Sequence, residues 1–293
     1  MEEEKVLGQI LDGKEISRKV KEEVLSEVNR LLAEGHRRPT LAVILVGEDP
    51  ASAIYVNNKK KACARYGINS KSYELPASTS KDELLKLLDE LNADDEVDGI
   101  LLQLPLPDQL HREENLFLER INPDKDVDGF HPVSIGRLNL NLPGPRPCTP
   151  AGIMRLLEET GEDLDGKLAL VIGRSNTVGK PLIQLLLQKN CTVILTHSHT
   201  KNLKDLTRQA DILIASVGQL GFVTADMVKE GAIVIDVGIN RLESGKVRGD
   251  VDFKAVRPKA SWITKVPGGV GPMTIAMLLV NTLDCYKLRE FGE

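Results

Sequence analysis

The first half of the chain alternates continuous apolar runs with amphipathic segments. Strands are predicted over residues 41–47, 70–75 and 97–104, and helices over residues 17–34, 51–66 and 81–92. Ser80 followed by Glu83 forms a capping box, which places the start of the third helix. A β-α-β-α-β order of this kind predicts parallel strands joined by crossover helices.

The second half alternates again after a proline-rich stretch. Residues 139–150, NLNLPGPRPCTP, contain four prolines and mark a predicted domain junction. Beyond it, strands are predicted over residues 167–173, 191–197, 211–218 and 232–238, and helices over residues 151–161, 179–189, 202–209, 224–230 and 273–289. The chain is therefore predicted to be an α/β protein of two three-layer α/β domains, residues 1–148 and 149–293, the second a Rossmann-type domain. The last helix, about residues 273–290, is a candidate to pack back onto the first domain.

Composition and charge narrow the class of protein. A chain of 293 residues exceeds the usual size of one hydrophobic core, and 41% hydrophobic with 28% charged residues is typical of a globular protein. The net charge of −5 argues against non-specific nucleic-acid binding, and no apolar run is long enough to span a membrane. The acidic N-terminal segment lacks the layout of a signal peptide, and the four cysteines are widely spaced without a CxxC pair. We therefore expect a cytoplasmic protein without a disulfide framework.

The segment LALVIGRSNTVGKPL has the strand, glycine turn and helix start of a phosphate-binding βα turn. Glycine lets the backbone approach a pyrophosphate, and the helix start offers free N–H groups and a positive dipole end. The spacing departs from the usual G-x-G-x-x-G, because Ser175 replaces the second glycine and Val178 stands at the third. The predicted cofactor-binding residues of this turn are Gly173, Arg174, Ser175, Val178 and Gly179; a plain βα turn is the alternative.

The end of the next strand favours NADP over NAD. An NAD site usually has an Asp or Glu there to bind the ribose hydroxyl, but this strand ends in Thr-His-Ser-His-Thr, residues 196–200. Arg174 together with a serine suits a phosphate on that ribose instead. His197 and His199 also have the spacing of a pair of metal ligands, but no acidic or cysteine ligand lies close to them in the sequence. We therefore predict an NADP site and no metal.

One lysine of the run Lys-Lys-Lys stands out by its position. Tyr55 and Lys59 are four residues apart and share one face of the predicted helix, whereas Lys60 and Lys61 point elsewhere. Taken alone, Lys59 is more often a solvated lysine, and Tyr55 more often a core aromatic with a solvated hydroxyl. A functional role for Tyr55 and Lys59 is indicated only when the polar residues at the strand ends are considered with them.

Those polar residues are Gln103, which ends the third strand, and Asp126 and Asp128 in the loop PDKDVDGFHP. Open α/β sheets bind ligands at the carboxyl ends of their strands. Lys59 near Gln103 and a carboxylate could carry a proton if its pKa fell from about 10.4 toward neutral. Alone, Gln103 could merely cap a strand and Asp128 before Gly129 could merely form a turn.

Seven stretches of the sequence resemble one enzyme family. They are YVNNKKKACARYGI, DGILLQLPLP, NPDKDVDGFHP, PCTPAGIM, GRSNTVGKP, DVGIN and VPGGVGPMT. The family is the bifunctional methylenetetrahydrofolate dehydrogenase/methenyltetrahydrofolate cyclohydrolase, and the resemblance extends from about Leu11 to Leu288. It implies an enzyme that oxidises methylenetetrahydrofolate with NADP⁺ and then hydrolyses the methenyl product to formyltetrahydrofolate, in a cleft between the two domains. It also implies a homodimer.

The resemblance further implies roles for particular residues. Lys59 is the general acid/base of the hydrolysis, Gln103 hydrogen-bonds and tunes that lysine, and Tyr55 flanks the pterin. Asp128 anchors the pterin through its carboxylate. The other implied contacts are Gly173 to Ser175 with the cofactor phosphates, Ser198 with the additional phosphate of NADP, Ile239 with the cofactor, and a loop at Gly271 and Pro272 that closes over the folate.

Two other functions stay open at this point. An NADP-dependent dehydrogenase of the shikimate or amino-acid type also pairs a small α/β domain with a Rossmann domain, but it has no equal spacing of Tyr55–Lys59, Gln103 and Asp128. A non-catalytic nucleotide-binding protein would not need Lys59, Gln103 and Asp128 together.

Overall fold

The computed structural model describes residues 7–292. Its strands are β1 Gln9–Leu11, β2 Thr40–Val46, β3 Asn69–Leu75, β4 Gly99–Leu102, β5 Leu168–Ile172, β6 Thr192–Thr196, β7 Ile212–Ala215, β8 Ile233–Asp236, β9 Asn240–Arg241, β10 Val247–Arg248 and β11 Trp262–Thr264. Its α-helices are α1 Gly13–Ala33, α2 Pro50–Arg65, α3 Lys81–Ala93, α4 Asp108–His111, α5 Glu114–Arg120, α6 Pro132–Asn139, α7 Cys148–Glu158, α8 Gly179–Gln188, α9 Leu203–Thr207, α10 Phe253–Val256 and α11 Val270–Phe291. Short 3₁₀ turns cover Pro123–Lys125 and Ala225–Met227.

The described chain separates into two compact units, each with its own parallel sheet. The three-stranded unit holds residues 19–148 and 275–292, and the six-stranded unit holds residues 7–18 and 149–274. The division therefore differs from the sequence-based boundaries at the N-terminus. β1 is not among the predicted strands, and it pairs in parallel with β11 of the second half. A three-residue strand carries too little pattern to reveal its partner, which is set by long-range pairing.

The three-stranded unit is a sheet of order β3-β2-β4 with helices on both faces. Its central strand β2 is buried throughout, which explains its continuous apolar sequence. Successive residues alternate between two cores: Leu41, Val43 and Leu45 face one, and Ala42, Ile44 and Val46 face the other. The first core includes Leu279 and Tyr286 of α11, and the second includes Leu84 and Leu88 of α3.

A buried carboxylate fixes the end of α11 within this unit. Asp98 is fully buried and accepts two hydrogen bonds of 2.7 Å from Arg37 and one of 3.0 Å from Arg289 of α11. It also accepts the N–H of Thr40 at 2.8 Å. Because a buried charge is tolerated only with partners, this network fastens the amino ends of β2 and β4 to the helix that completes their core.

The six-stranded unit is a sheet of order β1-β11-β8-β7-β5-β6, and every pairing is parallel. β5 lies between β6 on one side and β7 on the other, so the strand order reverses there, as in doubly wound dinucleotide-binding sheets. The prediction of an α/β protein with two parallel sheets is confirmed. Within the described residues, no helix has both the length and the apolar character needed to cross a membrane.

Two local predictions are wrong in their details, and one hairpin lies outside the predicted elements. α11 begins at Val270, so Gly271 and Pro272 lie in its first turn and not in a loop; proline is tolerated there because the first N–H groups of a helix have no intrahelical partner. The predicted helix over 224–230 is only a 3₁₀ turn. The hairpin of β9 and β10 follows β8 without having been predicted.

Candidate active site

The order of the three-stranded sheet brings Lys59 and Gln103 together. α2 follows β2 and carries Lys59 in its third turn, and Gln103 continues from β4 by donating its N–H to the Ile44 carbonyl of β2 at 2.9 Å. Lys59 Nζ donates to Gln103 Oε1 at 2.9 Å, and Gln103 Nε2 donates to the Leu104 carbonyl at 2.7 Å. The second bond matters because it keeps the amide oxygen, and not the amide nitrogen, toward the lysine.

The other members of the lysine run have different surroundings. Lys60 forms an ion pair with Glu74 at 2.6 Å, and Lys61 is exposed. Tyr55, one helical turn before Lys59, leaves 40% of its surface exposed. Its ring is therefore not buried in the core, which was the alternative considered from the sequence. An aromatic side chain exposed at this position can stack on a planar ligand.

The loop after Asn122 is anchored first by a buried lysine. Lys125 is 1% exposed, and its Nζ donates to the carbonyls of Leu91, Asn92 and Asp94 at 2.8–2.9 Å. These are carbonyls at the end of α3, which have no partner within the helix. Burial, with Arg289 nearby, lowers the pKa of Lys125 to about 8.

The next two residues of the loop are fastened as well. The buried Asp126 carboxylate accepts from Gly129 N at 3.1 Å, His131 N at 2.8 Å and Ser134 Oγ at 2.7 Å. The Val127 carbonyl accepts from Asn281 Nδ2 of α11 at 2.8 Å. Asp126, a candidate from its place in the sequence, is thus bonded to its own loop and is not directed at a ligand.

Asp128 follows these three fixed residues, and its carboxylate is half-buried. Burial raises its pKa to about 6; the Lys59 ammonium opposes this shift and Asp126 adds to it. Asp128 and Lys59 are therefore close enough to influence each other electrostatically. Together with Gln103, they form a polar cluster at the carboxyl ends of β2 and β4.

Sequence reasoning missed two residues that build this cluster. Lys125 gives no signal in the sequence, because a lysine in a charged loop is normally solvated. Asn281 lies 154 residues beyond Val127 and occurs as one polar position within an apolar helix, so nothing in its neighbourhood pointed to the loop. A buried polar residue on an otherwise apolar helix face was the available signal.

In the six-stranded unit, the turn after β5 fits close approach of a ligand. Gly173 has φ +117°, and a Cβ there would lie 2.1 Å from the Ser216 carbonyl oxygen. A Cβ on Gly179 would lie 1.9 Å from the Gly173 carbonyl oxygen. Ser175, which replaces the second glycine of the usual fingerprint, accepts the N–H groups of Val178 at 3.1 Å and Gly179 at 3.3 Å. The serine hydroxyl therefore bonds to two N–H groups at the entry to α8 and holds the turn in its tight form.

A cavity of about 500 Å³ opens at this turn, where the strand order reverses. Arg174, His197 and Ser198 line it, and none of the described residues around it is an Asp or Glu. Burial, with Arg174 beside it, lowers the pKa of His197. An exposed guanidinium and a serine hydroxyl without a carboxylate fit a ribose phosphate, so the residues present fit NADP.

His197 and His199 lie in one local turn after β6. His197 Nδ1 accepts the N–H of His199 at 3.2 Å, so one ring is engaged in the local turn. Among residues 7–292, no group of three or more metal-ligating side chains comes together.

The remaining predicted residues lie around a smaller cavity in the same unit. Ile239, Gly271 and Pro272 line about 190 Å³ beside the loop that follows β8. Ile239 is 51% exposed. An apolar side chain left exposed at the carboxyl end of a strand is suited to contact a flat ligand ring.

Comparisons with known proteins find similarity over most of the chain. The family profile "Tetrahydrofolate dehydrogenase/cyclohydrolase, catalytic domain" matches residues 11–128, and the profile of the NAD(P)-binding domain of the same family matches residues 147–290. The chain is 58% identical to the bifunctional protein FolD of Campylobacter hominis over 96% of its own length and 98% of that protein.

Two solved structures are similar over most of the chain. The bifunctional FolD enzyme of Campylobacter jejuni has 54% identity and a TM-score of 0.93, with 96% of this chain and 99% of that chain covered. The methylenetetrahydrofolate dehydrogenase-cyclohydrolase of Trypanosoma brucei, complexed with NADP cofactor and an inhibitor, has 36% identity and a TM-score of 0.91, with 96% and 98% covered.

The raised pKa of Asp128 predicts a pH-dependent gain in stability for Asp128→Asn. The folded-state pKa of about 6 exceeds the ordinary value of 3.8, so folding favours the protonated carboxyl, and that stability is lost as pH rises from about 4 through 6. Asparagine does not ionise. We expect the variant to gain about 1–3 kcal/mol in free energy of unfolding at pH 8, shrinking toward zero near pH 4.

Chemical denaturation at several pH values measures this gain. Asp94→Asn is the matched control, because Lys71 lowers the pKa of Asp94 and the effect of pH should have the opposite sign. A gain for Asp128→Asn that does not change with pH would contradict the prediction.

Proposed function

The chain belongs to the tetrahydrofolate dehydrogenase/cyclohydrolase family, and from this premise we propose how its residues divide the work. It is a bifunctional enzyme that oxidises methylenetetrahydrofolate to methenyltetrahydrofolate with NADP⁺ and hydrolyses the product to formyltetrahydrofolate. We assign the proton transfers of the second step to Lys59. The observation that carries this assignment is the hydrogen bond from Lys59 to Gln103, with Asp128 in electrostatic reach.

The oxidation demands positioning more than acid–base chemistry. When bound, NADP⁺ supplies the hydride acceptor. The glycine turn from Gly173 to Ser175 binds its pyrophosphate, and Arg174 with Ser198 binds the ribose phosphate. Ile239 contacts the cofactor. These cofactor-binding residues suit the oxidation, because hydride transfer needs alignment of the reacting carbons and no proton donor on the protein.

The hydrolysis demands a group that moves one proton twice. Water adds to the methenyl carbon while Lys59 takes a proton from it. Lys59 then returns a proton to the ring nitrogen as the C–N bond breaks, and the hydroxyl on that carbon loses its proton to solvent as the formyl C=O forms. The cationic methenyl group disfavours a second positive charge beside it, which favours the neutral amine that can accept the proton. Gln103 accepts a hydrogen from Nζ, so the amine is held in one orientation throughout.

Tyr55 and Asp128 bind the folate in this proposal. The exposed Tyr55 ring stacks on the flat pterin, and the Asp128 carboxylate accepts hydrogen bonds from its N–H groups.

The two other functions considered from the sequence are not supported. Both family profiles match, and the chain is 58% identical to a bifunctional FolD protein over 96% of its length. A shikimate-type dehydrogenase or a non-catalytic nucleotide-binding protein would not share a catalytic domain with this family.

We also infer a homodimer and a cytoplasmic location. β3 is an edge strand of its sheet with alternating exposed positions, and an unpaired edge of seven residues is a natural contact for a second copy. Four buried free cysteines suit a reducing compartment. Light scattering of the purified chain measures the mass in solution, and a monomer at micromolar concentration would count against the dimer.

Lys59→Met should separate the two activities. We expect hydrolysis of methenyltetrahydrofolate to fall by about 10²–10⁴-fold, because the proton carrier is lost, while NADPH formation stays within a few-fold of wild type. NADPH and methenyl product are followed separately in the same reaction. Lys60→Met is the control, because Lys60 is paired with Glu74 and should change neither activity. Wild-type hydrolysis in Lys59→Met would sink the assignment.

Arg174→Ala should reduce the preference for NADP⁺ over NAD⁺ roughly tenfold, since a charge-assisted hydrogen bond to phosphate is lost. The ratio of kcat/KM for the two cofactors measures it. Lys180→Ala is a matched control, because this cation of the same turn bonds to Asn176 and does not line the cavity. An unchanged ratio in Arg174→Ala would transfer the role to His197 or His199.

A further inference from the structure

Asn281 is a buried amide that bonds to two separate stretches of backbone. It lies on α11, is 2% exposed, and belongs to the three-stranded unit. Its Nδ2 donates to the Val127 carbonyl at 2.8 Å and to the Arg146 carbonyl at 2.7 Å, which uses both amide hydrogens. The thiol of Cys148 lies 3.5 Å away. A polar side chain is buried at a cost, so its bonds explain why it is tolerated.

The two carbonyls belong to stretches in direct contact with each other. Gly129 has φ +71°, and a Cβ there would lie 2.6 Å from the Arg146 carbonyl carbon and the Pro147 nitrogen. Backbone therefore lies against backbone on the far side of Asp128. Val127, held by Asn281, precedes Asp128, and Gly129, held by this packing, follows it.

The direction of the Asp128 side chain depends on the peptide group before it. The plane of that peptide contains the Val127 carbonyl and the Asp128 N–H, so rotating the plane swings the Asp128 carboxylate. Without Asn281, the donor that residues 7–292 leave to the Val127 carbonyl is the weak thiol of Cys148, at 3.4 Å. Lys125 and Asp126 hold the start of the loop but do not bond to this carbonyl.

We propose that Asn281 is a positioning residue for the folate substrate, acting through the peptide group that aims Asp128. The proposal rests on the role of Asp128 in folate binding given above. Asn281 itself does not touch the reacting atoms. Its effect is to set the carboxylate within the fraction of an ångström that binding to a rigid pterin requires.

The test measures the folate KM in the hydrolase reaction, which needs no cofactor. Asn281→Leu removes both donors at similar volume, and Asn281→Ser keeps one. Thr282→Val is the matched control, because Thr282 is equally buried on α11 and its hydroxyl bonds only within the helix, to the Leu278 carbonyl at 2.8 Å. Unfolding midpoints of all variants are recorded beside the kinetics, and the full-length chain is used.

We expect the folate KM to rise roughly tenfold in Asn281→Leu and less in Asn281→Ser, with the KM for NADP⁺ in the dehydrogenase reaction unchanged. Thr282→Val should lower the unfolding midpoint without changing the folate KM. If Asn281→Leu raises the folate KM no more than Thr282→Val does at a comparable loss of stability, Asn281 is merely structural and the proposal is overturned.

A double-mutant cycle with Asp128→Ala separates this failure from failure of the proposed function. If Asn281 acts through Asp128, the double variant binds folate no worse than Asp128→Ala alone. Additive effects would overturn the positioning role while leaving Asp128 in place. An unchanged folate KM in Asp128→Ala would refute the role of Asp128 and the positioning proposal together.

Discussion

Backbone N–H groups in the loops that follow the strands of a parallel sheet have no neighbouring strand whose carbonyls could accept their hydrogen bonds. In this chain the carboxylates of buried aspartates accept those hydrogen bonds. Asp126 binds the N–H groups of Gly129 and His131. Asp236 binds those of Gly238, Asp250 and Val251, and Asp250 binds those of Val217, Gly218 and Gln219. Burial raises the pKa of Asp236 to about 6, opposed by these hydrogen bonds. Each carboxylate supplies the hydrogen-bond acceptors that a neighbouring strand would otherwise supply. The conformation of each loop is therefore fixed.

This constraint also selects the glycines nearby. A Cβ on Gly249 would lie 1.8 Å from an Asp236 carboxylate oxygen, and one on Gly238 would lie 2.2 Å from the Asp250 carboxyl. The carboxylates can reach several N–H groups only because these positions lack a side chain. The loops at Ile239 and beside Ser216 therefore owe their form to these two carboxylates and to the glycines packed on them.

Both units present their candidate ligand residues at the point where the strand order reverses. In the three-stranded unit, β2 lies between β3 and β4, and the side chains of Lys59 and Gln103 meet at the ends of these strands. In the six-stranded unit, β5 lies between β6 and β7, and Gly173 packs on the Ser216 carbonyl. The chemistry of each unit is thus carried by a few partly exposed side chains on loops whose backbone is already satisfied.

Local pattern in the sequence predicted most of the elements and much of the candidate site. Apolar runs, the capping box and the glycine turn encode strands, helix starts and close backbone approach through neighbouring residues, so they were readable without a structure. The spacing of Tyr55 and Lys59 and the absence of an acid after β6 were readable for the same reason. The place of β1 was not, because three residues have no period.

Only the tertiary structure decided which distant residues meet. It alone buried Lys125 against the end of α3 and brought Asn281 to the loop of Asp128. Such contacts depend on which surfaces of the folded chain face each other. The sequence records the period of each element, but the bonds that aim a side chain come from elements 34 to 154 residues away, and no local pattern carries them.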